Sequence, residues 1–384
     1  MKNDVKKEAT EKNEPHHEYK YYSLDRIKAV KAQYNLIIGE RSNGKTYACL
    51  LEVLKRFIKT GEQGAYVRRY KEDFRGKRGE SLFSAIVADG HVSKLTDEKW
   101  DRISYYSGRW YLAKYNELLD KVVRDDTPIM YGFSLNDMEH DKSTSYPKIT
   151  IIIFDEFLTR QYYMQNEFVI FMNVLSTIIR LRDNVTIYML GNTVNKYCPY
   201  FKEMGLSHVA EMEIGKIDVY NYGESKLKVA VEMCGNSDKK GSKKSNVYFA
   251  FDNPSLAMIT GGAWEIDLYP HLMEKYSNKE ILLTYFIVFD GNLLQCEIIQ
   301  HEDLLFTYIH QKTTEIRHPD EDIIFTLDYS MRPNVFRNIL KAQNDMVRKI
   351  RYFYANDRVF YQDNEVGEIV RNYLNVCKKE SISK

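Results

Sequence analysis

The sequence has little net charge, few cysteines and no long apolar run, and each shortage excludes a class of protein. Its 55 lysines and arginines are balanced by 54 aspartates and glutamates, whereas a protein that coats nucleic acid non-specifically is clearly basic. Any such contact must therefore come from a local basic patch. The five cysteines are scattered without CxxC spacing, which argues against a zinc site or disulfide framework and for a reducing compartment.

Signals for membrane insertion or secretion are also missing. No apolar run approaches the roughly 20 residues that span a bilayer, and the charged segment from Met1 to about His17 is unlike a signal peptide. We therefore expect a soluble intracellular protein. Residues 1–18 are too polar to bury an apolar face, so we expect them to form a disordered tail.

After the tail, short apolar strands alternate with helical patterns, which is typical of a parallel sheet with helices on both faces. The predicted strands are 34–38, 64–70, 127–135, 148–154 and 185–190, and the predicted helices are 46–59 and 166–180. A β-hairpin is expected over 99–115, with Ser107 and Gly108 at its turn. These elements predict an α/β domain over residues 19–205.

The pattern changes after about residue 201. A glycine, serine and lysine segment at 234–246, which includes Lys239, Lys240, Lys243 and Lys244, is typical of an exposed loop or linker. Beyond it, Asp290-Gly291 predicts a hairpin between strands 283–289 and 293–299, and helices are expected at about 334–354 and 364–376. We therefore predict a linker region over 206–246 and a smaller α+β domain over 247–384.

Residues 39–46, GERSNGKT, fit the pattern GxxxxGK[ST] between a predicted strand and a predicted helix. In this pattern the glycines let backbone N–H groups curl around phosphate oxygens, the lysine reaches the β and γ phosphates, and the threonine ligates Mg²⁺. The fold class is therefore a P-loop NTPase that binds ATP and Mg²⁺. The predicted nucleotide contacts are Gly39, Arg41, Ser42, Asn43, Gly44, Lys45 and Thr46.

The second chemical motif is ITIIIFDEF at 149–157. Its apolar strand delivers Asp155 to the carboxyl edge of the sheet, where it can hold Mg²⁺ together with Thr46, while Glu156 can polarise the attacking water. Alternatively, Asp155 and Glu156 are only an acidic pair that caps a strand. The pair favours hydrolysis over transfer to a small molecule, and an additional strand between the two motifs makes the NTPase of the ASCE type.

Other polar residues allow two interpretations each. Asn192 ends the next strand and either senses the γ-phosphate or is an ordinary turn asparagine. Arg180 and Arg182 lie at the end of a predicted helix. Either they are there because a helix C-terminus favours cations, or they act in trans on the ATP of a neighbouring copy. Arg41, inside the P-loop, could instead serve its own nucleotide.

A basic run follows the second strand. Arg68, Arg69 and Lys71 are interleaved with Tyr66 and Tyr70, and clustered cations near aromatic rings can follow a phosphate backbone. We predict DNA contacts for these three cations. Arg160 is a weaker candidate of the same kind, whereas the later cations Arg75, Lys77 and Arg78 fit a solvated loop better.

At this point the sequence resembles the phi29-type phage DNA encapsidation ATPases over nearly the whole chain after the tail. The motifs that carry the resemblance are GERSNGKTYA, GEQGAYVRRYK, SYP ahead of TIIIFDEF, STIIRLRDNV, GNTVN and CPYF. The YVRRYK and FDEF strings at this separation are far more specific than a P-loop alone. The longer polar tail and the Gly191-Asn192 turn depart from the family, which leaves the role of Asn192 open.

The resemblance implies a homomeric ring of five copies that docks on the portal of an empty procapsid. ATP hydrolysis would drive double-stranded DNA through the ring, in the host cytoplasm and not in the mature virion. The resemblance leaves open whether a packaging RNA or a DNA terminal protein takes part. It also implies roles for individual residues: phosphate binding by Lys45, Mg²⁺ binding by Asp155, catalysis by Glu156, an arginine finger at Arg180 with Arg182 as the alternative, and a pore position for Lys71.

For the C-terminal domain, the resemblance implies a ribonuclease-H-type nuclease that has lost its metal-binding acids. A two-metal nuclease needs several carboxylates around one site. Asp290 belongs to a hairpin turn, and Asp303 and Asp328 have no acidic partners in matching positions. We therefore expect this domain to be inactive as a nuclease.

Two other classes of function remain as alternatives. One is a different P-loop DNA ATPase, either a helicase or a cutting terminase. The further motifs of a helicase are not found in the sequence, and a cutting terminase needs the acidic cluster that the C-terminal domain lacks. The other is a capsid assembly factor that binds ATP without turnover, against which Glu156 argues.

Overall fold

The computed structural model describes residues 22–41, 43–137, 144–159, 163–164, 166–192, 198–223, 227–235, 269–272 and 275–382. The predicted tail, Ser42, Arg160 and the lysine run at 239–244 lie outside these ranges. The described residues form two sheets. Among the helices of these ranges, none combines the length and apolar character needed to cross a bilayer.

The first sheet has nine strands in the order β3-β4-β5-β2-β6-β7-β1-β9-β8. Its strands are β1 Tyr34–Gly39, β2 Gln63–Arg68, β3 Arg102–Tyr106, β4 Arg109–Asn116, β5 Lys121–Ser134, β6 Ile149–Asp155, β7 Thr186–Asn192, β8 Ile217–Tyr222 and β9 Leu227–Cys234. The six strands from β5 to β9 in this order are parallel, and antiparallel strands complete both edges. Strand β7 lies between β1 and β6, as the ASCE prediction requires.

Two helices cover the two faces of this sheet. The α-helices of the described residues are α1 Asp25–Val30, α2 Lys45–Thr60, α3 Lys77–Ser81, α4 Ser84–Ala88, α5 His91–Leu95, α6 Glu167–Ile179, α7 Pro199–Glu203, α8 Asp345–Ala355 and α9 Asn364–Ile382. The two that cover the sheet are α2 and α6. Helix α2 packs with Ile151 and Ile153 of β6, whereas α6 packs with Ile152 and Phe154. Strand β6 is therefore apolar at five of its seven positions because it is buried on both faces, and each such side chain contributes about 1.5–3 kcal/mol.

The second sheet has six strands in the order β14-β13-β10-β11-β12-β15. Its strands are β10 Ile281–Phe289, β11 Asn292–His301, β12 Leu304–Gln311, β13 Ile323–Thr326, β14 Val335–Phe336 and β15 Val359–Tyr361. Helices α8 and α9 pack on it through Ile350 and Val370. The predicted hairpins at Ser107-Gly108 and Asp290-Gly291 are both confirmed.

Two predictions about secondary structure are wrong. The segment 206–246 is not simply a linker, because it contains strands β8 and β9, and β9 pairs in parallel with β1. Its sequence LKVAVEMC is apolar enough to be buried next to the central strand. The helix predicted from 334 begins only at Asp345, because residues 335–336 pair with β13 and the Asn344 side chain caps the helix by accepting from the N–H of Val347.

Candidate functional site

The P-loop connects β1 to α2, and both of its predicted glycines are required by geometry. Gly44 has φ 92°, in the left-handed region that a side chain disfavours. At Gly39 a Cβ atom would lie 2.2 Å from the carbonyl oxygen of Cys234 at the end of β9. The loop therefore lies against a strand that was not predicted from the sequence, and the Asn43 amide reaches the Cys234 sulfur at 3.1 Å.

Lys45 points into this loop and is almost fully buried. Its Nζ donates to the carbonyl oxygens of Glu40 at 2.7 Å and Gly39 at 3.3 Å, and to the Asn192 Oδ1 at 3.3 Å. Burial lowers the pKa of Lys45, and the nearby Cys234, Asp155 and Glu40 oppose that shift. Asn192 therefore lies beside the P-loop lysine, whereas Arg41 is exposed on the same loop.

The tips of β1 and β6 meet at one edge of the sheet. The Thr46 hydroxyl donates to Asp155 Oδ2 at 2.9 Å. Tyr66, on the neighbouring strand β2, donates to the same oxygen at 2.7 Å. Burial and then the charge of Asp155 raise the pKa of Tyr66, so the phenol remains a donor. The two predicted motifs are thus adjacent, and Tyr66 is an additional site residue that the sequence did not identify.

Glu156 directly follows β6 and has φ 58°, which is uncommon for a residue with a side chain. Its carboxylate is 57% exposed and pairs with Arg68, whose Nη2 lies 2.7 Å from Oε2. Arg68 also faces Asp73, with its Nε 3.4 Å from Oδ2. The prediction that Arg68 contacts DNA is therefore corrected, because its side chain turns toward two carboxylates.

Arg69 is buried, so the prediction that it contacts DNA is also wrong. Its Nε and Nη2 donate to the two carboxylate oxygens of Glu167 at 2.8 and 2.7 Å. It also donates to the carbonyl oxygens of Glu156 and Phe157, at 2.8 Å each. The side chain therefore joins the turn after β6 to the first residue of α6.

Lys71 is the one residue of the predicted basic run that the described structure leaves on the surface. Its side chain is 58% exposed and pairs with Asp137. It lines a cleft of about 590 Å³ together with Arg75, Arg109 and Tyr131. Arg109 comes from the turn side of the β3–β4 hairpin, so a distant segment adds a cation that the sequence pattern could not associate with Lys71.

Arg180 and Arg182 differ in their surroundings. Arg180 is exposed, and its Nη2 donates to the Thr144 carbonyl oxygen at 2.9 Å. Arg182 is half-buried and donates to five carbonyl oxygens, those of Tyr146, Pro147, Ile149, Ile178 and Ile179. Both lie near the start of β6, and a seven-residue strand places them about 20 Å from the Asp155 end. Neither can therefore reach its own P-loop.

Known proteins are similar to this chain in sequence and in fold. The family model for the podovirus DNA encapsidation protein (Gp16) matches residues 17–88 and 121–254, more than half of the chain. The chain belongs to this family. Residues 89–120, which lie between the two matched ranges, contain α5 and strands β3 and β4.

Two curated DNA packaging proteins are similar to this chain in sequence. The DNA packaging protein of Bacillus phage B103 is 33% identical over 189 residues, which cover 48% of this chain and 50% of that protein. The DNA packaging protein of Bacillus phage phi29 is 30% identical over 185 residues, which cover 47% of each. The chain thus spans about half the length of the relatives it matches.

Two solved structures show the same fold over nearly the whole chain. The Phi-28 gp11 DNA packaging motor superposes with a TM-score of 0.57 at 17% identity, over 93% of this chain and 98% of that one. The bacteriophage Phi-29 viral genome packaging motor assembly gives 0.56 at 19% identity, over 91% and 97%. The likeness extends across both sheets.

Proposed function

We propose that this encapsidation-family protein is an ATPase that drives double-stranded DNA into a preformed procapsid. One observation carries the proposal: Lys45 and Thr46 meet Asp155 at one sheet edge, where Glu156 follows directly. Phosphate-binding, metal-binding and water-activating groups are thus supplied by two adjacent strand ends, in a chain whose family packages DNA.

The residues at this edge fit a Mg²⁺-nucleotide. The Thr46 hydroxyl and the Asp155 carboxylate, 2.9 Å apart, are the hard oxygen ligands that Mg²⁺ prefers. Bound Mg²⁺ would neutralise charge on the phosphate oxygens. Lys45 would exchange its carbonyl partners for the β and γ phosphates, and the backbone N–H groups from Asn43 onward would lie at the positive end of α2.

Hydrolysis would then depend on side chains from two neighbouring copies. Once the Glu156 carboxylate has separated from Arg68, it would orient the attacking water. Asn192, beside Lys45, would respond to the γ-phosphate. The exposure of Arg180 supports it over Arg182 as the arginine that stabilises the transition state in a neighbouring copy. A ring of copies, with five as the expected number, would supply that neighbour.

The DNA contact belongs to the cleft that holds Lys71, Arg75 and Arg109. These side chains come from separate segments and face one surface, as a phosphate backbone requires. The portal of the procapsid would be the docking partner of the ring. For the second sheet we propose an inactive ribonuclease-H-like domain; within the described ranges, no group of three or more His, Cys, Asp and Glu side chains is placed to hold a metal.

The proposal is tested by measuring phosphate release with and without duplex DNA, for wild type and Lys45→Ala. We expect hydrolysis that duplex DNA stimulates and that Lys45→Ala abolishes. Glu80→Gln, an exposed change on α3, serves as the control. Binding of ATP without turnover would instead indicate an assembly factor. Unwinding of a forked duplex would indicate a helicase, and nicking of a supercoiled plasmid a cutting terminase.

A further inference from the structure

A buried arginine outside the nucleotide contacts holds the backbone of the proposed catalytic turn. Arg69 donates four hydrogen bonds, two to Glu167 and one each to the carbonyl oxygens of Glu156 and Phe157. Its guanidinium also lies over the rings of Phe154 and Tyr163, at 5.8 and 5.3 Å from their centroids. Nearly all of its donor capacity is therefore directed at this turn and its support.

Glu167 is in turn fixed from several sides. Its carboxylate is fully buried and also accepts from the Tyr200 hydroxyl at 2.9 Å and from the backbone N–H of Met164 at 2.8 Å. Arg69 and Glu167, which we call the buried clamp, thus connect the end of β2 to α6 and α7. A buried ion pair is a weak source of stability compared with apolar packing, so its presence here calls for another reason.

The backbone at Glu156 supplies that reason. A side-chain-bearing residue at φ 58° persists only where its surroundings fix it, and such strain concentrates at functional sites. The carbonyl oxygens of Glu156 and Phe157 both accept from Arg69, and the N–H of Phe157 donates to the Leu190 carbonyl oxygen at 3.2 Å. The direction in which the Glu156 side chain leaves the turn is therefore set by the clamp.

We propose that Arg69, held by Glu167, is a positioning residue for ATP hydrolysis: it fixes the turn from which Glu156 reaches the attacking water. This inference rests on the proposed role of Glu156. The clamp also ties the turn to the first residue of α6, whose far end, 13 residues away, carries the exposed Arg180. The clamp and Arg180 thus lie at opposite ends of one helix about 20 Å long.

The test compares Arg69→Lys and Glu167→Gln with wild type in the full-length protein. Lysine keeps the charge but loses the planar fork that contacts Glu167 and both carbonyls. We expect unchanged ATP affinity and KM, and a kcat lowered by roughly 10- to 100-fold, because a displacement of about 1 Å at a reacting group can cost that much. Arg348→Lys, in an exposed pair on α8, is the matched control.

A background substitution separates positioning from general structure. In Glu156→Gln protein, Arg69→Lys should cost no further activity, because the group that it positions is already gone. A kcat at the wild-type level in a folded variant overturns the inference, and so does a parallel loss of ATP affinity. If the single variants fail to fold, Arg69→Met with Glu167→Met replaces the clamp by apolar packing. Wild-type hydrolysis by that variant also overturns the inference, and a selective loss of kcat supports it.

The same experiment distinguishes this inference from the function on which it rests. If Glu156→Gln hydrolyses ATP at the wild-type rate, the proposed role of Glu156 fails and the clamp has no catalytic group to position, whereas the ATPase function itself fails only if wild type does not hydrolyse ATP or Lys45→Ala does. If Glu156→Gln is inactive while both clamp variants retain full kcat, only the clamp inference is wrong.

Discussion

Arg68 and Glu156 form an ion pair across neighbouring strands, with the arginine Nη2 2.7 Å from the glutamate Oε2. The carboxylate proposed to orient water is therefore engaged by a cation of its own subunit. Because the Glu156 side chain is 57% exposed, water screens the pair and its contribution is about 0.2–1 kcal/mol. A bond of this strength can be exchanged during a reaction cycle.

Arg68→Gln should therefore raise hydrolysis in the absence of DNA. Release of a pair worth up to about 1 kcal/mol corresponds to a rate increase of up to about fivefold. The stimulation by DNA should shrink by the same factor, and Arg317→Gln, an exposed change in the C-terminal part, should change neither rate. Steady-state phosphate release measures both. A slower DNA-free rate would show that Arg68 assists catalysis rather than restrains it.

Substitution of Arg180 should reduce hydrolysis, whereas substitution of Arg182 should reduce stability. Arg180→Ala should fold normally and lose about 1,000-fold or more in kcat, as expected for an arginine that acts in trans. Arg182→Ala should lower the Tm, because five carbonyl oxygens lose their donor. Thermal unfolding and phosphate release separate the two effects.

Mixed assemblies give the control for that assignment. In a mixture of Arg180→Ala with Lys45→Ala copies, one variant supplies the arginine and the other an intact P-loop. Partial recovery of hydrolysis is expected when such copies are adjacent, and a mixture as inactive as its components would count against action in trans.

Much of the fold could be predicted from the sequence, because periodicity marks the buried strands and helices of the first sheet. The apolar run of β6 and the glycines before Lys45 predicted that the two motifs lie side by side, and the hydrogen bond from Thr46 to Asp155 confirms this adjacency. Strand β9 was missed because its polar flanks resembled a linker, although six of its residues are buried. The sequence also did not indicate the direction of two side chains. Arg68 and Arg69 form one basic run in the sequence, yet both side chains point toward the turn at Glu156.

The cleft with Lys71 and Arg109 should control the salt dependence of DNA binding. Each phosphate contact that is lost lowers the slope of log affinity against log salt concentration by about one. Lys71→Ala and Arg109→Ala should therefore each weaken DNA binding and reduce this slope, whereas Lys59→Ala, at the end of α2, should not. Fluorescence anisotropy of labelled duplex at several salt concentrations measures it. An unchanged slope in both variants would exclude the cleft as the DNA contact.

The second sheet contains a pH-sensitive pair, His310 and Glu297. A hydrogen bond to Glu297 raises the pKa of His310 above 6.5, against burial and Lys312. Burial alone would raise the pKa of Glu297, but hydrogen bonds from His310, Tyr276 and Gln295 lower it below 4.5. The stabilisation from His310 is thus complete below pH 6.5 and is lost as the pH rises through its folded pKa, whereas that from Glu297 is lost as the pH falls through its own.

The difference in Tm between wild type and His310→Gln should therefore be largest between about pH 4.5 and 6.5 and should shrink toward pH 8. In a Glu297→Gln background the His310 substitution should have little effect at any pH. Thermal unfolding followed by circular dichroism at half-unit pH steps measures both. A difference in Tm that does not vary with pH would contradict the pairing.

The catalytic role of the turn after β6 is tested by single-turnover hydrolysis of ATP by Glu156→Gln, with ATP affinity determined in parallel. We expect ATP binding at the wild-type affinity and hydrolysis slower by at least about 100-fold, because a positioned general base contributes that much or more. Hydrolysis at the wild-type rate would contradict this assignment and show that Glu156 does not activate the attacking water.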